Sequence, residues 1–293
     1  MPNEVNWRNP YEDRTGSWYK GNLHTHCSDS PGPCGDDTAA EIAETYLEKG
    51  HGFLALSDHM CLTEFSHERL AIIPGIEWNA PSGQHTGIYC LDGEVIKPAV
   101  DIDNLDTLLE EFGGRDEVLL ILNHPNWQLV PHYRREDLES RTGYDGIEIY
   151  NGLIELLPGL PDSTDKWDYL ASKGKPVLGY ANDDAHGANS LGLAANVVRA
   201  AEPTPEAVFH ALKTGNFYCT TGVPIADIRR EGDTVTVTAP DAARIRAKGN
   251  GRIIKDTEAA ELSIDLSAHG GKYVRFEAKG GKGSTAWTQM FKA

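Results

Sequence analysis

Asn22-Leu23-His24-Thr25-His26 is the stretch from which the fold and the chemistry of this chain can be read. It closes an alternating segment, Tyr19–His26, that has the pattern of a β-strand. Alternate residues of a strand point to the same face, so His24 and His26 can hold one metal ion together. The same spacing recurs in Asn182-Asp183-Asp184-Ala185-His186, which follows another apolar run. The two pairs predict a metal site at the ends of strands.

Three further segments also end in side chains that bind metals: Leu56-Ser57-Asp58-His59, Gly75-Ile76-Glu77 and Asn123-His124-Pro125. In an α/β barrel, functional groups gather at the carboxyl ends of the strands. A cluster of unpaired, buried charged groups without ions would be costly. The five segments together therefore predict one shared metal site, and no nucleophile motif or glycine-rich phosphate loop competes with them.

Short apolar runs alternate with helical patterns from Trp18 to about Leu193, which predicts repeated βα units around a parallel sheet or barrel. Helices are expected after the capping box Thr38-Ala39-Ala40-Glu41 and over Asn104–Phe112, Ser163–Lys173 and Pro205–Lys213. Beyond Gly222 the helical patterns vanish, and strands such as Thr234-Val235-Thr236-Val237-Thr238 are separated by Gly-rich turns. We therefore expect an α/β barrel domain over residues 1–222 and a small antiparallel β domain over 223–293.

Composition limits the partners and the compartment. The 293 residues include 27 basic and 44 acidic side chains, a net charge of −17, which disfavours nucleic acid because phosphate contacts need clustered Lys and Arg. No apolar run of about 18 residues is present, so no membrane span is expected. The N-terminal residues lack the basic start and apolar stretch of a signal peptide, which favours the cytoplasm. Five cysteines without zinc-type pairing are typical of plain thiols in a reducing compartment.

The order of the five motifs, across residues 21–187, resembles the polymerase-and-histidinol-phosphatase (PHP) superfamily of metallophosphoesterases. Shorter segments resemble its carbaryl-hydrolase-like branch: residues 216–224 (NFYCTTGVP), 273–277 (YVRFE) and 286–289 (AWTQ). The resemblance implies a distorted, TIM-like (β/α)7 barrel. It also implies two or three divalent metal ions, with zinc, manganese and iron as the candidates.

The resemblance further implies how the ligands are divided among the ions. One ion would be shared by His24, His26, Glu77 and Asp184. Glu77 would bridge to a second ion held by His124 and another histidine, for which His85 on the next strand is the candidate. His59 and His186 would belong to a third ion.

The third ion would take a further ligand, a His or an Asp, from the segment between His26 and the first helix. That segment has no histidine, and its carboxylates are Asp29, Asp36 and Asp37. Asp37 is the leading candidate, although it could instead cap the helix that begins at Thr38. A thiolate of Cys27 or Cys34 could bind zinc here. The other ligands are hard oxygen and imidazole groups, however, which favours free thiols.

Several neighbouring side chains have predicted supporting roles. We expect Asp58 to orient a ligand or to shuttle a proton, and Glu77 to act in catalysis as the bridging carboxylate. Glu148 and Asn151 belong either to the surroundings of the metals and the substrate pocket or to the packing of the barrel, and Trp127 is expected to wall that pocket. The histidines outside the motifs are expected to be surface or structural residues: His51, His67, His132, His210 and His269.

These features predict a metal-dependent hydrolase. Clustered divalent ions lower the pKa of bound water and neutralise developing negative charge, so hydrolysis by metal-bound hydroxide is the simplest mechanism. A small, anionic phosphate ester is the leading substrate class, because several of its oxygens need charge compensation. Carboxylic-ester or carbamate hydrolysis on the same site is the alternative. A non-catalytic module stabilised by metal is the second alternative.

Overall fold

The computed structural model describes residues 5–127 and 132–293. Within them lie seven α-helices: α1 Ala39–Glu48, α2 Gly93–Ile96, α3 Leu105–Phe112, α4 Arg135–Ser140, α5 Gly152–Glu155, α6 Thr164–Ser172 and α7 Pro205–Thr214. Short 3-10 helices cover Lys97–Asp101, Leu266–His269 and Gly281–Gly283.

Eighteen strands are present in the same described ranges. Those of the first 222 residues are β1 Ser17–Asn22, β2 His51–Leu54, β3 Ala71–Ile72, β4 Gly75–Asn79, β5 His85–Cys90, β6 Val118–Leu122, β7 Gly146–Asn151, β8 Leu178–Asn182, β9 Ala195–Ala200 and β10 Phe217–Thr220. The remainder are β11 Asp227–Glu231, β12 Thr234–Thr238, β13 Arg244–Gly249, β14 Arg252–Thr257, β15 Glu261–Asp265, β16 Tyr273–Lys279, β17 Thr285–Thr288 and β18 Phe291–Lys292.

The strands form three sheets. The largest has ten strands in the order β14-β13-β16-β17-β10-β9-β1-β2-β3, with β18 beside β16. A second sheet has the order β4-β5-β6-β7-β8, and a third the order β11-β12-β15. Strands β1, β2 and β3 are parallel to one another, as are β6, β7 and β8.

The predicted α/β class is confirmed, but the predicted closed barrel is not. Strands β4, β5 and β6 pair antiparallel, so the βα repeat is interrupted there. The two main sheets approach each other through single bridges, Thr25 with Ala185 and His59 with Glu77. Across the residues that the structure describes, these bridges are isolated contacts and do not extend into a continuous ladder.

Local sequence explains the helices that support the sheets. Helix α1 begins at the predicted capping box, in which Thr38 accepts from the Glu41 backbone N–H and Glu41 accepts from that of Thr38. Helix α7 has Pro205 at its start and ends at Gly215, whose φ of 86° is the left-handed conformation that glycine adopts most easily. Helices α3, α6 and α7 match the predicted helices to within one residue at each end.

Five of the described strands after Gly222 continue the main sheet. Strand β17 pairs antiparallel with β10, and β16 and β13 extend the sheet further. Only β11, β12 and β15, within the described chain, lie in their own sheet. A second apolar core, which includes Ile228, Val235 and Phe276, fills the space between these strands. No helix in the described ranges is long and apolar enough to cross a membrane.

Candidate metal centre

The segments that follow β1, β2 and β8 meet at one point, where backbone hydrogen bonds join them. The His26 N–H donates to the Ala185 carbonyl at 2.9 Å, and the Ser57 N–H donates to the Thr25 carbonyl at 2.8 Å. Two residues here adopt left-handed backbone conformations, His124 with φ 31° and Asp184 with φ 54°. A non-glycine residue in that region costs about 1–3 kcal/mol, and such strain clusters at functional sites. The strand ends are therefore held in a fixed arrangement.

The first group of converging ligand atoms comes from His24, His26, Glu77 and Asp184, and these atoms lie within 4.8 Å of one another. His24 Nε2 is 3.0 Å from Glu77 Oε1 and 3.2 Å from Asp184 Oδ1. His26 Nε2 is 3.1 Å from the same Asp184 oxygen. All four side chains are buried, which leaves them no bulk water as a partner.

This first group fits a metal cation. His24 Nδ1 lies 2.8 Å from Glu148 Oε1, and an N–H donated there leaves the lone pair of Nε2 facing two carboxylates. Within the described part of the chain, three buried atoms in the group lack a hydrogen-bond partner: His24 Nε2, His26 Nδ1 and Glu77 Oε2. A buried polar atom without a partner is costly, and a divalent ion would satisfy several at once.

The pKa shifts in this group also favour a bound cation. Burial alone would raise the pKa of Glu77, but His24 and His85 lower it well below its usual range. Burial likewise opposes ionisation of Asp184, and His24 and His26 lower its pKa. Both carboxylates are therefore ionised at neutral pH and available as ligands. The pKa of His24 is in turn raised by Asp184 and Glu77 against the opposing effect of burial, so positive charge is favoured here.

The second group joins His59, Glu77 and His85. His85 Nδ1 is 3.2 Å and His124 Nε2 is 3.3 Å from Glu77 Oε1, while His59 Nδ1 is 2.9 Å from Oε2. Both oxygens of Glu77 thus face histidines, as a bridging carboxylate requires. Glu77 Oε1 also accepts a hydrogen bond of 2.9 Å from Asn123, which fixes its orientation.

The third group contains His26, Cys34, His59 and His186. Burial would raise the pKa of Cys34, but hydrogen bonding to His186, His26 and His59 lowers it to about 4. Cys34 thus favours the thiolate beside these histidines, and the choice between a free thiol and a ligand stays a prediction. Burial and Asp58 raise the pKa of Cys27, the other thiol of the segment, to about 12.

The carboxylates predicted as ligands of a third ion lie outside the three groups. Asp37 is not among the described residues whose ligand atoms converge, and it does not cap the helix either, because Thr38 does. Asp29 accepts a 2.8 Å hydrogen bond from the Ala39 N–H. Asp36 is exposed, with its carboxylate beside Gly187. Cys34, and none of these three carboxylates, lies with the histidines of the third group.

Asp58 does not contact His59 in the way expected of an orienting group. Its carboxylate accepts hydrogen bonds from the Cys27 N–H at 2.8 Å and from the Thr63 hydroxyl at 2.5 Å. Asp58 therefore holds the loop that follows His26 and is buried away from solvent. These hydrogen bonds give Asp58 a positioning role, and its proton-shuttling role stays a prediction.

Glu148 and Asn151 stand directly behind the ligands. Glu148 accepts from His24 Nδ1 and, at 2.8 Å, from the His124 N–H. Asn151 Nδ2 donates to Glu148 at 3.0 Å and to Asp184 Oδ2 at 3.1 Å. These hydrogen bonds join Glu148 and Asn151 to the candidate ligands, whereas the alternative role was packing inside a barrel. They orient the metal-binding side chains.

His132 is a residue that the sequence placed outside the site. Its Nδ1 lies 3.1 Å from Nδ1 of His124, and its ring stacks on Trp127 with centroids 5.0 Å apart. Burial and the neighbouring His124 lower the pKa of His132 to about 2, so the ring is neutral. Because it follows His124 by eight residues, no regular spacing marked it.

Comparison with known proteins identifies the fold. No family model matches the chain, and no curated protein sequence matches it. A crystal structure from Bacteroides vulgatus, of a two-domain protein containing a predicted PHP-like metal-dependent phosphoesterase, is similar with a TM-score of 0.52 and 14% identity, covering 98% of this chain and 97% of that one.

Two structures of a lesion-specific nuclease are also similar. Endonuclease Q from Pyrococcus furiosus matches with a TM-score of 0.52 and 17% identity, over 67% of this chain and 56% of that one. Endonuclease Q bound to a 27-mer duplex with an abasic lesion matches with a TM-score of 0.50 and 16% identity, over 67% and 57%. The chain shares the fold of these proteins. The likeness supports the PHP resemblance, and none of the three structures supports the carbaryl-hydrolase-like branch.

Proposed function

We propose that this protein is a metal-dependent hydrolase that cleaves phosphate esters. The observation that carries the proposal is the overlap of the three groups of ligand atoms. Glu77 and His26 belong to two groups each, and so does His59. Ions held by such groups would be close neighbours, and multinuclear sites of this kind are typical of phosphoester cleavage. The similarity in fold to a PHP-like metal-dependent phosphoesterase and to an endonuclease supports the same class.

The residues divide among the ions as follows. His24, His26, Glu77 and Asp184 would hold one ion, and Glu77 with His85 and His124 a second. His59 and His186 remain for a third. When bound, such ions lower the pKa of a water molecule and offset negative charge on the phosphoryl oxygens.

The surrounding residues keep this ligand set in place. Glu148 holds His24 through Nδ1 and His124 through its backbone N–H. Asn123 and Asn151 donate to the carboxylates of Glu77 and Asp184, so both carboxylates keep one orientation. Pre-oriented ligands reduce the cost of assembling the site when substrate binds.

Trp127 is proposed as a wall of the substrate pocket. Its ring packs edge-on to His124, with centroids 5.3 Å apart, and its buried Nε1 has no hydrogen-bond partner among residues 5–127 and 132–293. A buried N–H without a partner is available to donate to an oxygen of the substrate.

A phosphate ester is favoured over a carboxylic ester or carbamate for an electrostatic reason. The phosphoryl transition state spreads charge over several oxygens, whereas a carbonyl centre develops it on one. The expectation that nucleic acid is an unlikely partner is not supported, because a protein of the same fold binds duplex DNA. We propose a small phosphate ester as the leading substrate, with nucleic acid as the alternative within the same class of bond.

Specificity constants for one aryl leaving group as phosphate, phosphodiester, acetate and N-methylcarbamate test the proposal, with an abasic duplex oligonucleotide as a further substrate. We expect the phosphate compounds to turn over fastest, and turnover to vanish on addition of a chelator. Glu77→Gln should abolish turnover. The control His67→Ala, which removes a histidine paired with Glu44 at the surface, should leave turnover unchanged. Preference for acetate or carbamate would refute the phosphoesterase assignment but leave a metal-dependent hydrolase standing. Preference for the duplex would make the protein a nuclease.

A further inference from the structure

We propose that Cys34 supplies a thiolate ligand to a zinc-selective site completed by His59 and His186, an inference that rests on the proposed metal-dependent function. The ligand atoms of these three residues and of His26 lie within 4.8 Å of one another. His26 is shared with the first group, where its Nε2 faces Asp184. The third site is thereby joined to the rest of the centre and differs from it in containing sulfur.

The loop that carries Cys34 is fixed against the histidines by its backbone. The Asp36 N–H donates to the carbonyl of His186 at 2.8 Å, and the Ser28 N–H donates to that of Asp37 at 2.8 Å. At Gly35 the loop lies so close to the chain that a Cβ would stand 2.3 Å from the His26 carbonyl oxygen. Only glycine permits that approach, so the sequence Cys34-Gly35 places the thiol at the cluster.

The histidines of this group are prepared to bind a cation. His186 Nδ1 lies 2.9 Å from the carbonyl oxygen of Asp184, so a hydrogen bond there leaves Nε2 with a free lone pair. Among the described residues, no hydrogen-bond partner lies against the buried Nδ1 of His26. The ring centroids of His59 and His186 lie 4.5 and 4.3 Å from that of His26. This geometry lets the three imidazoles share one cation.

The chemistry of the donors selects the metal. Two imidazoles and one thiolate form a soft set that suits zinc, whereas the two carboxylates of the first group suit harder ions as well. Three protein ligands also leave a position open, as in catalytic zinc sites. On binding, the thiol loses its proton to solvent and the sulfur lone pair forms the bond to the ion, so no redox partner is needed.

Cobalt(II) is the probe for this inference, because thiolate bound to cobalt produces a charge-transfer absorption in the near ultraviolet that imidazole and carboxylate do not. Wild-type protein is stripped with chelator, kept reduced, reconstituted with cobalt and measured for absorption and metal content. Cys34→Ser is compared with Cys61→Ser, which removes a partly exposed thiol outside the three groups. Cys34→His restores a nitrogen ligand in the same place and shows whether loss of metal is due to misfolding.

We expect the band in wild type and in Cys61→Ser, and its loss in Cys34→Ser together with part of the bound cobalt. Cys34→His should regain the cobalt without the band. Persistence of the band in Cys34→Ser, or full cobalt loading of wild type without a band, would overturn the thiolate site and leave the proposed hydrolase intact. Wild type that binds neither cobalt nor zinc would overturn both.

Discussion

Individual residues at the strand ends show what sequence spacing can and cannot predict. The pairs His24/His26 and Asp184/His186 follow from the two-residue period of a strand, and the structure brings their side chains together. Cys34 was not predicted as a ligand, because its position depends on a loop whose only regular signal is Gly35. The loop is fixed by the long-range hydrogen bond from Asp36 to His186, which no local pattern encodes.

Glu148 gives a test at the scale of one residue. Glu148→Gln replaces a buried charge by a neutral amide behind His24, so the imidazole loses the partner that fixes its tautomer. Removal of such a contact typically weakens metal binding by about 10- to 100-fold. Competition titration against a chromophoric chelator measures the change, with the exposed Glu139→Gln as the control. Unchanged affinity would mean that Glu148 has no part in orienting the ligand.

Strands and helices were predicted less completely than the motifs. The antiparallel pairing of β4 with β5 interrupts the expected barrel, yet a physical signal for it exists. Only residues 80–84 separate these strands, and parallel neighbours need a crossover of about a dozen residues or more. A strand that is apolar and buried on both faces, such as β6, has the same pattern whether it pairs parallel or antiparallel. Periodicity alone therefore could not decide the pairing.

One buried ion cluster links strand β16 to helix α6. Arg275 donates two hydrogen bonds to Asp168, at 2.7 and 2.8 Å, and one to Glu277 at 2.8 Å, with its guanidinium over the Trp167 ring. Arg275→Ala removes the cation that pairs with Asp168 and leaves Glu277 with Lys248 alone, and breaking a buried pair typically costs about 3–5 kcal/mol. Urea denaturation measures the loss.

Arg244 on β13 provides the matched control, since it also pairs with two carboxylates but does so at the surface. Arg244→Ala should lower the unfolding free energy far less than Arg275→Ala. Equal losses in the two variants would show that burial of the cluster is not what makes it stabilising.

The same cluster makes stability depend on pH. Burial alone would raise the pKa of Glu277, but Arg275 and Lys248 lower it from 4.5 to about 2. A carboxylate whose pKa is lower in the folded state stabilises the protein above pH 4.5 and loses that contribution as pH falls toward 2. Between pH 7 and pH 3 the loss is about 2 kcal/mol from this group.

Glu277→Gln removes that titration, so its unfolding free energy should fall less between pH 7 and pH 3 than that of wild type. Denaturation curves at both pH values give the comparison, and the acid effects of other groups cancel. An equal decrease in unfolding free energy in wild type and in Glu277→Gln would contradict the lowered pKa assigned to Glu277.

At the scale of the whole molecule, five of the described strands after Gly222 are part of the sheet that carries β1. The sequence predicted their antiparallel character from alternation and glycine-rich turns, and the predicted division at residue 222 stays a prediction. What alternation could not predict is the pairing of β17 with β10, because contacts between strands so distant in sequence leave no local pattern. The converging ligand groups found among the described residues lie within residues 24–186, so we expect the later strands to contribute no ligand.

The central claim is that the strand-end cluster binds several divalent ions, and metal analysis of the intact chain tests it most directly. Protein purified without chelator and reconstituted with zinc, manganese or iron is analysed beside Glu77→Ala, which removes the carboxylate shared by two groups. We predict at least two equivalents per chain in wild type, a clear loss in Glu77→Ala and a lower melting temperature after chelation, since metal binds the folded state. Fewer than one equivalent in wild type after reconstitution would contradict the account.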